Sequence, residues 1–279
     1  MHYIKTNDEK RFLFGANWRR FLTVLDESRI AEAEKSLRDA LKVESFSNLK
    51  VLDVGCGSGL FSLAFKRLGA QVHSFDFDME SVACTKELKR RYFPTDTKWK
   101  IEQGSVLDDE YLSKLGNNDI VYSWGVLHHT GNMAKALKNV GLLVKENGLL
   151  YISIYNDQGV VSKAWAKVKR TYCSSSIGKL GVLLLLIPMF TVLNLGVSVY
   201  EYGNPLKKFT LHKHKRGMSI YHDWIDWLGG NPYEVSKPET IFNLFQTSGF
   251  SLEHLKTTQK LGCNEFVFRK LTEQQVLST

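Results

Sequence analysis

Three sets of residues in this 279-residue chain have types and spacings suited to chemistry. Gly55, Gly57 and Gly59 alternate directly after the apolar run 51–54, and the amphipathic stretch 60–68 follows. A strand turning into a helix on glycines exposes main-chain N–H groups and a helix N-terminus to a ligand. Asp76 closes a second apolar run, 17 residues beyond Gly59. A carboxylate at about that distance accepts hydrogen bonds from both ribose hydroxyls of a nucleoside. His128 and His129 stand where a fourth buried run, 119–126, breaks into a polar turn. Imidazoles titrate near neutrality and can carry a proton. Each set also has a plain structural reading: a tight turn without a ligand, a helix cap (which Asp78 suits better than Asp76), and two packed histidines.

The spacing G-x-G-x-G departs from the dinucleotide fingerprint, because Leu60 occupies the third glycine position, and no Gly-Lys-Ser/Thr follows to make a phosphate loop. With Asp53 two residues before the first glycine, D-V-G-C-G-S-G resembles the first motif of class I S-adenosylmethionine-dependent methyltransferases. The look is nearest to the branch of ubiquinone-biosynthesis O-methyltransferases. The resemblance covers residues 49–155 by motif and 237–270 by element order.

It implies S-adenosylmethionine as cofactor and an α/β, Rossmann-like seven-stranded methyltransferase sheet, with helices on both faces and a helical insertion after strand five. Asp53, Gly55, Cys56, Gly57 and Gly59 would hold the methionine end, Asp76 the ribose, and Phe77, Ser105 and Val106 the adenine. Ser105 stands where the family often has an acid. Ser123 belongs to the segment along the methionine part. His128 or His129, with Tyr155 behind them, would deprotonate a hydroxyl acceptor.

The elements that must position these residues follow from periodicity. Strands are expected at 51–54, 71–78, 99–103, 119–126 and 149–155, with closing strands at 251–258 and 264–270 and helices at 80–91, 133–145 and 237–249. Residues 1–48 read as an N-terminal helical cap, with a helix over 29–41. Trp18 in that cap could lie over the site, or pack with Phe14 and Phe21 as a core stripe. Residues 49–155 and 236–279 form the cofactor-binding domain, and 156–235 an inserted substrate cap in which Tyr221 and His222 could line a pocket.

The net charge of +8 is uneven: residues 160–217 carry +9 and the remainder −1. That insert also holds an apolar run, 181–199, near the ~20 residues that span a bilayer. Pro188, Asn194 and two glycines interrupt it, and a span there would cut between strands of one sheet. A buried or interfacial helical cap is the favoured reading, with peripheral contact to an anionic membrane next. Four cysteines without C-x-x-C or metal-ligand spacing point to a reducing compartment and no metal. Without an apolar signal region at the N-terminus, the expected location is cytoplasmic, with contact at the inner membrane face.

The expected activity is methyl transfer to a hydroxyl of a small-molecule, lipid-linked or glycan-type acceptor. An RNA methyltransferase, suggested by the basic segment, and a non-catalytic cofactor-binding protein are the alternatives.

Overall fold

The computed structural model describes residues 3–6, 9–12, 14–210 and 220–276, with the side chains of 3–6, 9–12, 16, 220–223, 226 and 276 left aside. A hairpin of β1 (Tyr3–Thr6) and β2 (Glu9–Phe12) precedes two helices, α1 (Gly15–Phe21) and α2 (Glu27–Leu41). The N-terminal region is thus not only helical.

The sheet domain then alternates β3 (Lys50–Val54), α3 (Leu60–Arg67), β4 (Gln71–Asp76), α4 (Met79–Tyr92), β5 (Trp99–Gln103), α5 (Asp109–Ser113), β6 (Asn118–Trp124), α6 (Met133–Leu142) and β7 (Val144–Tyr155). The insert holds α7 (Val160–Ser174), α8 (Ser176–Tyr202) and α9 (Ile220–Gly229). It is followed by α10 (Pro238–Gln246), β8 (Phe250–Lys256), β9 (Cys263–Lys270) and α11 (Glu273–Val276).

The seven strands pair in the order β5-β4-β3-β6-β7-β9-β8. The first five run parallel, and β9 joins β7 and β8 antiparallel. This is the expected methyltransferase sheet. Residues 146–148, between the expected helix 133–145 and strand 149–155, lie inside β7. The register with β6 slips between Asn118 and Ile120, and Asn147 takes φ +59 in the bulge.

The parallel strands read as near-continuous apolar runs because both sheet faces are covered. Ile30, Leu37, Leu63, Phe65 and Leu88 of α2, α3 and α4 pack one face. Leu137, Val140, Ile241 and Phe245 of α6 and α10 pack the other. Helix starts follow capping chemistry: Asp26, Asp78 and Asn132 each accept a backbone N–H from the first turn of the helix they precede. Gly15 donates its N–H to the second oxygen of the Asp78 carboxylate at 2.8 Å, which docks α1 on the start of α4.

The run 181–199, expected as a buried or interfacial helical cap, lies within α8 and is only partly covered among the described residues. One face of α8 packs, with Val182 and Phe190 against Tyr172 and Trp165. The other is open to solvent, with Leu184 68% and Leu185 71% exposed. The physical reason is that α8 is apolar all round while α7 and α9 cover only one side of it.

Candidate active site

Every glycine of the motif sits in the left-handed region, Gly55 at φ +79, Gly57 at +54 and Gly59 at +82. A Cβ at Gly55 would lie 2.4 Å from Val126 and one at Gly59 2.8 Å from Thr85, so both are closed from behind. Gly57 faces the Trp18 indole, 3.2 Å from where its Cβ would be. Trp18 therefore lies over the turn while also packing on the core beneath it. The Phe75 carbonyl accepts from the N–H groups of Gly55 and Cys56 at 2.8 and 3.1 Å. The Cys56 thiol is buried and receives the Thr85 hydroxyl, and burial raises it well above the usual thiol range.

The structure places Asp53, Asp76 and Ser123 differently from one another. Asp53 is 2% exposed and accepts the Ser62 hydroxyl. A buried polar chain continues from Ser62 to Ser74 at 2.8 Å and from the Trp99 indole N–H to Ser74 at 3.0 Å. Burial pushes the Asp53 carboxyl up to about 7. It braces the turn from below. Asp76 lies at the carboxyl end of β4, where its two oxygens accept from the N–H groups of Gly57 and Asp78, both at 2.9 Å. Burial raises its carboxyl to about 6, partly offset by those donors.

Ser123 points into the core and donates to the Val54 carbonyl at 3.0 Å, tying β6 to β3. At the end of β5, Ser105 accepts the Leu107 N–H at 3.2 Å, and the buried Val106 offers its carbonyl to Asn139 at 2.8 Å. The Phe77 carbonyl accepts from Gln103 at 3.0 Å.

The histidines occupy a short 3₁₀ turn, Leu127–His129, after β6. His129 Nδ1 stands 2.7 Å from the Pro232 carbonyl. A carbonyl only accepts, so Nδ1 carries the proton and the lone pair of the neutral ring is on Nε2. At His128 the Tyr155 N–H stands 3.3 Å from Nδ1, and the Ser153 carbonyl also bonds the ring. Its Nε2 is buried without a hydrogen-bond partner. Burial holds the His128 ring well below the usual histidine range; His129 and Lys169 push the same way, and the Ser153 carbonyl opposes them. The Tyr155 ring lies 4.0 Å from His128 and 5.4 Å from His129, and Phe14 reaches within 5.4 Å of His129.

The segment returning from the insert closes this end of the sheet. Glu234 donates its N–H to the His128 carbonyl, Ser236 donates to that of Tyr155, and Tyr233 lays its ring 5.3 Å from Tyr155. Trp227 sits 5.6 Å from Tyr155 on a second side. Tyr221 and His222 fall in α9, among the side chains outside the described residues.

Sequence reasoning missed Lys169, which is wholly buried behind this wall, and Tyr233. The available signal was position: in α7 the buried residues are Ser162, Lys169, Tyr172 and Cys173, so a lysine stands in the buried stripe.

A methyltransferase-domain family model matches residues 25–255. The ubiquinone biosynthesis O-methyltransferase of Rhodopseudomonas palustris (strain HaA2) is 30% identical over 129 residues, 46% of this chain and 48% of that protein. The chain thus spans about half the length of the curated relatives it matches. The magnesium protoporphyrin IX methyltransferase from Synechocystis PCC 6803, solved with bound SAH, superposes at TM-score 0.54 and 13% identity, covering 92% of this chain and 96% of that one. An O-methyltransferase family protein from Burkholderia thailandensis superposes at TM-score 0.54 and 11% identity, covering 94% and 64%. At these identities the likeness is one of fold.

Proposed function

We propose that this chain, which belongs to the methyltransferase-domain family, moves the methyl group of S-adenosylmethionine to an oxygen of a small molecule. The residues present suit that cofactor. Gly55, Gly57 and Gly59 form a left-handed turn with little side chain at the carboxyl end of β3, and Asp76 brings a carboxylate to the same place. In this reading Asp76 accepts from the ribose, Phe77, Ser105 and Val106 flank the adenine, and the glycine turn takes the methionine end. Asp53, Cys56 and Ser123 act through the shape of the turn, since their side chains are engaged in the core. When bound, the cofactor supplies a methyl group already activated by its sulfonium.

The protein's remaining task is to orient the acceptor and take its proton. The observation that carries this reading is the His129 ring after β6, whose Nδ1 stands 2.7 Å from the Pro232 carbonyl. His129 Nε2 takes the hydroxyl proton, and the imidazolium that forms keeps its Nδ1–H on the Pro232 carbonyl. His128 stays neutral beside it, and its buried Nε2 is left for the acceptor to engage. Tyr155 walls the site. The testing experiment is transfer of labelled methyl from the cofactor to extracted small molecules, lipids and RNA. Label in a small molecule or lipid, on oxygen, supports the reading; label only in RNA, or none, overturns it.

The open face of α8 favours a lipid-linked acceptor over a glycan-type one. It is long and apolar enough to cross a membrane, and only 6% of its most apolar window is buried. Its other face holds α7 and the Trp224 ring of α9, which argues for lying in the interface of an anionic bilayer over spanning it. Lys163, Lys167, Arg170, Lys207 and Lys208 flank it in the insert. Cytoplasmic placement with contact at the inner membrane face accords with this proposal.

A further inference from the structure

We propose that Lys169 is the anion-recognising residue of the acceptor subsite, so that the molecule methylated here is a planar anion whose carboxylate or phenolate oxygen is held by this ammonium beside Trp227 and Tyr233. The inference rests on the methyltransferase reading above and deepens it by naming the acceptor's charge and shape.

Lys169 is wholly buried, whereas Lys163, Lys167 and Arg170 on the same helix are exposed. Its Nζ donates to the Trp227 carbonyl and lies 4.0 Å from the centre of the Trp227 ring and 5.0 Å from that of Tyr233. Among the described residues no carboxylate forms an ion pair with it. An ammonium taken out of water without a counter-ion is costly, and a carbonyl and two π faces offset only part of that cost.

The titratable groups near it are His128 after β6, Tyr233 on the returning segment and Cys173 on its own helix. Burial lowers the lysine to about 7, and only the Cys173 thiol opposes that shift. A buried ammonium with no carboxylate partner among the described residues is half of a charge-assisted site whose other half is an anionic oxygen.

The aromatic side chains around the lysine suit a molecule that carries an aromatic, hence planar, ring. The rings of Tyr233, Trp227 and Tyr155 run from the lysine to His128 with centroid spacings of 5.3, 5.6 and 4.0 Å. Tyr233 also lines a cavity of about 190 Å³, with Ala166, Arg170, Pro232 and Glu234 among its other walls. Arg170 brings a second positive charge, and the Glu234 carboxylate accepts the Met133 N–H at 2.9 Å. A lysine serving only to fasten α7 to α9 would need the Trp227 carbonyl and no anion, and the test separates the two roles.

Benzoate and its neutral isostere benzamide are titrated into the full chain with cofactor present. Binding is read by tryptophan fluorescence and by carbon-13 NMR of the labelled lysine side chains. Benzoate is expected to bind at least about tenfold tighter than benzamide. It should also raise the titration midpoint of Lys169 by about one pH unit. In Lys169→Met that preference should vanish, while cofactor affinity measured by calorimetry stays at the wild-type value.

The proposal is overturned if benzoate fails to bind at millimolar concentration, if the two probes bind alike, or if the preference survives in Lys169→Met. If that variant does not fold, the wild-type titration decides: a Lys169 midpoint unmoved by benzoate overturns the proposal. Failure of the wild-type chain to bind S-adenosylmethionine would strike the methyltransferase reading instead.

Discussion

The glycine cradle and the insert satisfy their buried groups in opposite ways. Around the cradle, Asp53 is tied through Ser62 and Ser74 to Trp99, and Asp76 receives two main-chain donors. In the insert, α8 turns leucines to solvent, and Lys169 is enclosed with π faces and a carbonyl for company. A region complete in itself is a scaffold; a region with exposed leucines and an uncompensated charge is shaped for what docks on it. In the proposed reading the sheet domain holds the cofactor end, and acceptor choice falls to the inserted helices and the segment that returns from them.

The largest expected effect lies where the two regions meet. His129→Gln should lower turnover by about 10²–10⁴-fold in the labelled-methyl assay, with cofactor affinity unchanged. Full turnover in this variant would remove His129 as the base and leave positioning to carry the reaction.

How far the sequence spoke follows the same division. The strand–turn–helix, the seven-stranded order and the carboxyl-end site were legible because glycine spacing and apolar runs are local signals. The direction of single side chains was less so. Ser123 sits in the right segment, but strand alternation turns its hydroxyl to the Val54 carbonyl. The roles of His128 and His129 depend on Tyr155 and Pro232, and Pro232 lies over a hundred residues away. Lys169 hid in a basic run because three of its charged neighbours are exposed.

A smaller effect sharpens the cradle side. The Asp53 carboxyl is raised in the folded chain to about 7, above its unfolded value. The stability it lends is therefore fully present below the unfolded value and is lost as pH rises through the folded one. Asp76, raised to about 6, adds a lesser loss of the same sign. Denaturant unfolding should show wild-type stability falling between pH 5 and 8, with about 2 kcal/mol of that fall absent in Asp53→Asn. An equal fall in the two proteins would show that Asp53 is ionised throughout.

The smallest effect per residue tests the insert side. Each basic residue at an anionic bilayer contributes about 1 kcal/mol and is screened by salt. The chain should co-sediment with anionic vesicles at low salt, less at high salt, and little with neutral ones. Neutralising Lys207, Lys208, Lys213, Lys215 and Arg216 should remove the difference; the last three lie outside the described residues. Indifference of the wild type to anionic vesicles at low salt would end the membrane proposal and leave a soluble acceptor.

The central claim, that the cradle with Asp76 holds S-adenosylmethionine, is tested most directly by calorimetry of the cofactor with wild type and Asp76→Ala at pH 7.5 and 5. A carboxylate–hydroxyl pair contributes ~1.5–3 kcal/mol, so the variant should bind about ten- to a hundredfold more weakly at the higher pH. Because the Asp76 carboxyl is raised to about 6, wild-type affinity should itself fall at the lower pH, while that of the variant stays level. Equal affinity of the two proteins at pH 7.5, with the variant folded, would contradict the claim.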